Sequence, residues 1–185
     1  MKRKILKLQQ KISTAKTIIN KSERFYKNKP KLSNDSHYNQ GLYTPLNKDK
    51  YSGKLDNIVY RSGLELKWFR FFDLNPYIIN WACEEYVVGY INPLDNEQHK
   101  YFIDVFIRYR TQKNEVKEAL IEIKPLDQTR PPVKKKRITK SYRYAVRQYI
   151  VNEAKWNYAS KIAEKHNIEF KILTETGFVK WNRTY

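Results

Sequence analysis

Two acids and a lysine stand out in this 185-residue chain because they break apolar runs. Asp104 falls within Tyr101-Phe102-Ile103-Asp104-Val105-Phe106-Ile107, and Glu122, eighteen positions later, within Leu120-Ile121-Glu122-Ile123. On a strand, side chains two apart share a face, so Glu122 and Lys124 point the same way, away from Ile121 and Ile123. If the two runs are adjacent hairpin strands, two carboxylates and an amine meet on one surface. Such a set suits phosphodiester hydrolysis, which needs a divalent cation held by carboxylates, an activated water and a positive group near the developing charge. Mg²⁺, or Mn²⁺ in its place, is held by one or two carboxylates beside water and substrate oxygen, and the Ile123 carbonyl offers one further ligand. The ordinary alternative for Asp104 is an acid on the solvated face of an antiparallel sheet.

The Glu-x-Lys triplet by itself is common here. It occurs at Glu65, Glu115, Glu122, Glu153 and Glu169. Glu115 belongs to a turn, and Glu65 and Glu153 to helices, where such charges are ordinary. Glu169 with Lys171 is a real competitor because it also begins a strand, but no acid embedded in a preceding apolar strand accompanies it. Glu65 has a structural alternative of its own: Ser62-x-x-Glu65 matches a capping box, in which the glutamate serves the helix start.

The elements that would position these groups follow from periodicity and punctuation. Ser62 opens a helix through Leu64, Trp68, Phe71 and Phe72 that stops before Asn75-Pro76. Strands are expected over Tyr77 to Trp81, Glu85 to Ile91, His99 to Tyr109 and Val116 to Lys124, with a turn from Asn92 to Asn96. In the His99 run, Tyr101, Ile103, Val105 and Ile107 are expected on one face. Pro131-Pro132 precedes a long helix or helix pair from about Lys135 to His166, and a last strand covers Ile168 to Thr174. The sum is an α/β fold with a mixed sheet flanked by helices.

Charge is unevenly spread over this plan. Thirty-seven Lys and Arg against nineteen Asp and Glu give a formal charge of +18. Residues 1–50 hold 13 basic and 3 acidic residues and no Trp, which marks them as a basic arm ahead of a domain over 51–185. Within the arm, Ile5, Leu8, Ile12, Ala15 and Ile19 form one apolar helical stripe. A second basic stretch runs from Arg130 to Arg147, with no acid between Gln128 and Asn152 and with Tyr142, Tyr144 and Tyr149 interleaved. A one-sided stripe of this kind suits phosphates without base readout. Cys83 stands alone, excluding an internal disulfide and a multi-cysteine zinc site. His37, His99 and His166 are scattered, and no apolar run suggests a membrane span or a secretory signal. The chain is expected to be soluble and intracellular with a polyanionic partner.

The order of Glu65 on the first helix, Asp104 on a middle strand and Glu122-Ile123-Lys124 on its neighbour resembles the PD-(D/E)XK nuclease superfamily, with Ile103 in place of the eponymous proline. More specifically, Tyr51-Ser52-Gly53-Lys54, Tyr60-Arg61-Ser62, Tyr101-Phe102-Ile103-Asp104, Ile121-Glu122-Ile123-Lys124-Pro125 and Pro131-Pro132-Val133-Lys134 are similar to the head completion nucleases of T-even-type tailed phages. Lys155-Trp156 and Ile172-Leu173-Thr174-Glu175 continue the match, which spans roughly residues 51–178.

The resemblance implies a restriction-endonuclease-like αβββαβ core and a metal-dependent deoxyribonuclease that trims packaged DNA so that head and tail can join. It implies an active site of Glu65, Asp104, Glu122 and Lys124. Asp104, Glu122, Glu65 and the Ile123 carbonyl would be Mg²⁺ ligands, with Lys124 orienting the attacking water. Arg61, Lys134, Lys135, Lys136, Arg137 and, less centrally, Gln128 would contact DNA. Phage portal, neck or capsid proteins are the implied partners, and the implied location is the host cytoplasm during assembly or the head–neck region of the virion. A junction-resolvase-like repair nuclease and a non-catalytic DNA-binding neck protein are the competing functions.

Overall fold

A computed structural model describes residues 39–134 and 136–177. The amphipathic stripe from Ile5 to Ile19, most of the basic arm, and Lys135 lie outside the described residues. Short strands β1 (Gly41–Leu42) and β2 (Val59–Tyr60) pair antiparallel and lead to helix α1 (Gly63–Leu74). Then come β3 (Ile78–Cys83), β4 (Val87–Ile91), β5 (Gln98–Phe102), β6 (Val105–Arg110) and β7 (Val116–Ile123). Helix α2 (Lys140–Lys165) and strand β8 (Glu169–Leu173) close the order. The main sheet runs β3-β6-β7-β8, with β7 antiparallel to β6 and parallel to β8. Its elements, α1-β3-β6-β7-α2-β8, are the expected αβββαβ core, with the β4–β5 hairpin inserted between β3 and β6.

Both faces of the sheet are covered over the second half of β7, where Ala119 to Ile123 are all buried and apolar but for Glu122. The alternate residues Ala119, Ile121 and Ile123 join Trp68, Phe69 and Phe72 of α1, together with Trp81 and Ile107. The residue between, Leu120, joins Trp156, Ala159 and Ala163 of α2. Helix α1 starts where expected: the Ser62 hydroxyl accepts the Glu65 backbone N–H at 3.1 Å. Helix α2 ends with Asn167 in the left-handed region at φ 56, and the N–H of Ile168 reaches back to the Ala163 carbonyl at 3.0 Å. Among the described residues no helix is long and apolar enough to cross a membrane.

Two expectations need correction. The strand placed over His99 to Tyr109 is two strands, broken at Ile103-Asp104. Strand β5 pairs with β4, whereas β6 pairs with β3 and β7. Tyr101 and Ile103 therefore pack on the α2 side, while Val105 and Ile107 pack on the α1 side. The apparent alternation hides a slip of one face at Asp104. The partner segment bends at the same place, with Glu84 at φ 51 and its N–H donating to the Asp104 carbonyl at 3.1 Å.

The second correction concerns the boundary at residue 50, which falls inside folded chain. Asp73 of α1 is fully buried, and its carboxylate accepts the Tyr43 hydroxyl at 2.9 Å and the N–H groups of Leu46 and Asn47 at 2.7 and 3.0 Å. Lys50 Nζ donates to the Asp73 and Asn75 carbonyls. A buried carboxylate without those donors would carry a large desolvation cost, so the segment from Tyr43 to Lys50 is bound to α1.

Candidate active site

The break in the β5–β6 run is where the chemistry collects. Asp104 sits between the two strands, with its side chain 23% exposed, and Ile123 at the end of β7 donates its N–H to Asp104 Oδ2 at 2.7 Å. Glu122, one residue earlier, faces the α2 side with its side chain only 3% exposed. Lys124 follows the strand end, and its N–H bonds the Leu173 carbonyl of β8 at 3.0 Å. Its ammonium lies 2.9 Å from Glu122 Oε1 and 3.9 Å from Asp104 Oδ2. The predicted pair of carboxylates and their amine are thus brought together.

The balance of charge is uneven. Burial, then the neighbouring Glu122 and Glu65, push the Asp104 carboxyl well above the usual carboxylate range, against the pull of Lys124 and the Ile123 N–H. Burial alone would lower Lys124, but Asp104 and Glu122 outweigh it and raise the amine above its ordinary value. Two carboxylates on one amine, with Glu65 near enough to be felt by Asp104 and Lys124, leave negative charge that a divalent cation would neutralise, and every donor is a hard oxygen. Among the described residues no three acidic, histidine or cysteine side chains close a full cage by themselves. The fit is to a cation held by one or two carboxylates with water and substrate completing the shell, which is the habit of Mg²⁺.

Glu65 is close enough to Asp104 and Lys124 to be felt by both. Its two oxygens serve the start of α1: Oε1 accepts the Ser62 hydroxyl at 3.1 Å and Oε2 the Arg61 N–H at 2.8 Å. Burial nonetheless raises its pKa, against those hydrogen bonds and Lys124. The capping geometry and nearness to the site coexist in one side chain.

Of the residues expected to contact DNA, Arg61 is half-buried beside the site. Its fork grips Glu84, Nε to Oε1 at 2.9 Å and Nη2 to Oε2 at 3.2 Å. Gln128 is exposed in the one-turn helix Leu126–Thr129 just beyond Lys124-Pro125. Lys134, Lys136 and Arg137 are exposed in the segment leading to α2, and Lys135 lies outside the described residues. The basic first three turns of α2 are also largely exposed; its buried positions, Asn152, Trp156, Ala159 and Ala163, begin halfway along the helix.

Two residues of the site are not signalled by the motif. Tyr101 of β5, 4% exposed, donates its hydroxyl to Glu122 Oε2, so both Glu122 oxygens are occupied. Burial and the two nearby carboxylates push this phenol far above its usual value, which keeps it a donor. Lys155 of α2 hangs over the Tyr101 ring at 5.6 Å and the Tyr90 ring at 5.9 Å. In the sequence Lys155 shows only as part of the Lys155-Trp156 pair of the resemblance and of the Glu153 triplet, and neither places it beside Glu122.

The comparisons with known proteins fall on this frame. The profile of the TnsA-like endonuclease N-terminal family matches residues 75–175, which include Asp104, Glu122 and Lys124. The head completion nuclease of Enterobacteria phage T4 is 37% identical over 141 residues, covering 74% of this chain and 91% of that protein. No solved structure matches. Over the segment that holds the carboxylates and the lysine, and over most of its length, the chain belongs to the TnsA-like endonuclease family and to the family of the phage head completion nuclease.

Proposed function

We propose that this chain is a metal-dependent deoxyribonuclease of phage head completion, hydrolysing phosphodiester bonds of packaged DNA so that head and tail can join. The observation that carries the reading is the meeting of Asp104, Glu122 and Lys124 at the end of β7, beside an exposed basic segment. The family membership supports the nuclease class, and the T4 relative's name supports the phage setting.

Asp104 and Glu122 would hold the cation, with the Ile123 carbonyl as a further oxygen and Glu65 completing the shell. Bound there, Mg²⁺ would supply Lewis-acid polarisation of a phosphoryl oxygen. Lys124, locked between the two carboxylates, holds a proton at Nζ and directs it toward the attacking water and the charge that grows on phosphate. Tyr101 and the Ile123 N–H fix the rotamers of Glu122 and Asp104, so little reorganisation is needed when substrate arrives. Lys134, Lys135, Lys136, Arg137 and Gln128 would receive the DNA backbone. Arg61, paired with Glu84, would act at the rim of the site. Portal or neck proteins of the filled head are the proposed partners.

Purified protein incubated with plasmid and Mg²⁺ tests the reading directly. Wild type is expected to convert supercoiled plasmid, EDTA to stop it, and Asp104→Ala to lose it while retaining the wild-type circular dichroism spectrum. Tight DNA binding without metal-dependent cleavage would point to the structural neck protein instead, and a strong preference for branched over linear DNA would point to a resolvase.

A further inference from the structure

Lysines beside a carboxylate cluster normally end on a carboxylate, as Lys124 does. Lys155 does not. Among the described residues its ammonium has only the faces of Tyr90 and Tyr101, at 5.9 and 5.6 Å. Tyr101 in turn bonds Glu122, so the amine stands one ring away from the site. Burial lowers the pKa of Lys155, Glu122 works against that, and Lys124 adds to it, which places the amine within the electric field of the site. Cation–π contact offsets part of the cost of partly burying an ammonium and leaves its N–H donors open to water or a ligand.

The position of Lys155 along α2 adds a direction. Lys140, Arg147, Val151 and Lys155 follow at spacings of seven, four and four, which keeps them on one flank of the helix. Over fifteen residues that flank extends about 22 Å. Lys140 and Arg147 are exposed, Val151 and Lys155 half-buried, so the row starts in solvent and ends at the site. The acid of this stretch, Glu153, sits on another flank and accepts the Tyr149 hydroxyl at 2.7 Å.

We propose that Lys155 is a substrate-contacting residue, gripping a backbone phosphate of the nucleic-acid strand at the inner end of a basic track along α2. The proposal rests on the nuclease reading above and adds to it the path by which the strand reaches Asp104 and Glu122. Lys124 is committed to two carboxylates; Lys155 is the amine left to the phosphate next along.

The test uses the full chain and a 20-base-pair DNA duplex in EDTA, with binding followed by fluorescence anisotropy across a salt series. Lys155→Met is expected to weaken binding several-fold and to reduce the slope of log K against log salt by about 0.9, the loss of one phosphate contact. Lys155→Arg should restore both. Lys161→Met, which removes an exposed amine over Tyr158 on the same helix, is the control for a general loss of charge. A wild-type slope in Lys155→Met, or an equal change in Lys161→Met, would overturn the proposal. If Lys155→Met does not fold, Lys155→Gln is read in the same assay by the same criteria. Because binding is measured without metal and cleavage separately with Mg²⁺, failure of the nuclease reading and failure of the phosphate contact give different results.

Discussion

Strands β7 and β8 lie side by side, and each carries a glutamate two residues ahead of a lysine. Glu122 takes an ammonium from Lys124 at 2.9 Å and a hydroxyl from Tyr101. Glu169 likewise takes an ammonium from Lys171 at 2.7 Å and a hydroxyl from Tyr109 at 2.8 Å. The local chemistry is nearly the same. The parallel register, however, sets Glu122 opposite Ile172 and Lys171 opposite Ile121, so the two triplets face opposite sides of the sheet.

On its side, Glu169 meets a second amine, Lys117 at 3.4 Å, and is 36% exposed. Two cations around one screened carboxylate leave nothing for a metal to do. Glu122 has Asp104 as its neighbour instead and is 3% exposed, so a second carboxylate rather than a second amine stands beside a buried one. The two triplets differ in their third neighbour and their burial, not in their own residues.

The largest effect should separate the two lysines. Lys124→Ala is expected to slow plasmid cleavage by about 10²–10³-fold, the range for removing a preorganised electrostatic donor, while DNA binding stays near wild type. Lys171→Ala should leave cleavage within error. A parallel loss of binding and cleavage in Lys124→Ala would assign that amine to substrate binding, and a strong effect of Lys171→Ala would erase the contrast between the strands.

Next in size, Tyr101→Phe keeps the ring under Lys155 but removes the hydrogen bond to Glu122. It should weaken Mg²⁺ or Mn²⁺ binding by about 10–100-fold in calorimetry, with the melting temperature of the metal-free protein little changed. Tyr109→Phe, the counterpart beside Glu169, should not alter metal binding at all.

The smallest effect is on stability. Burial would raise the Glu169 pKa, but Lys171, Tyr109 and Lys117 outweigh it and hold the carboxyl below its ordinary value. A depressed folded-state pKa contributes stability above the unfolded value, about 4.3, that is lost as pH falls through the folded one. Wild type should therefore melt slightly above Glu169→Gln at neutral pH, and the gap should close as pH drops below about 4. A gap that persists in acid would mean that the hydroxyl and amide contacts, not the charge, carry the difference.

Much of the fold was legible because its signals are local. Ser62 and Asn75-Pro76 bracket α1, and the apolar run of β7 marks a strand buried on both faces. What escaped depends on where strands part company. Tyr101, Ile103, Val105 and Ile107 alternate perfectly in sequence, and nothing in that pattern reveals that β5 leaves the sheet to pair with β4. That Arg61 has its fork on Glu84, which sits in a left-handed bend, was not visible from their separation in the sequence. Asp73 carries no signal in the sequence, yet it is the buried anchor for the segment from Tyr43.

The two acids embedded in apolar runs, and Lys124 two residues after the second, were enough to name Asp104, Glu122 and Lys124 as a set, since strand geometry puts Glu122 and Lys124 on one face. The sequence already favoured the Glu122 triplet over the Glu169 triplet through its companion Asp104; how differently the two are surrounded came only with assembly. Burial and the count of neighbouring charges are properties of chains brought together from far apart in sequence: β5 delivers Tyr101, α2 delivers Lys155, and the break before β6 turns Asp104 toward the end of β7. Charge in water is screened wherever it lies; only a folded interior can give the same Glu-x-Lys triplet a buried, acid-rich setting on one strand and a neutralised, exposed one on the next.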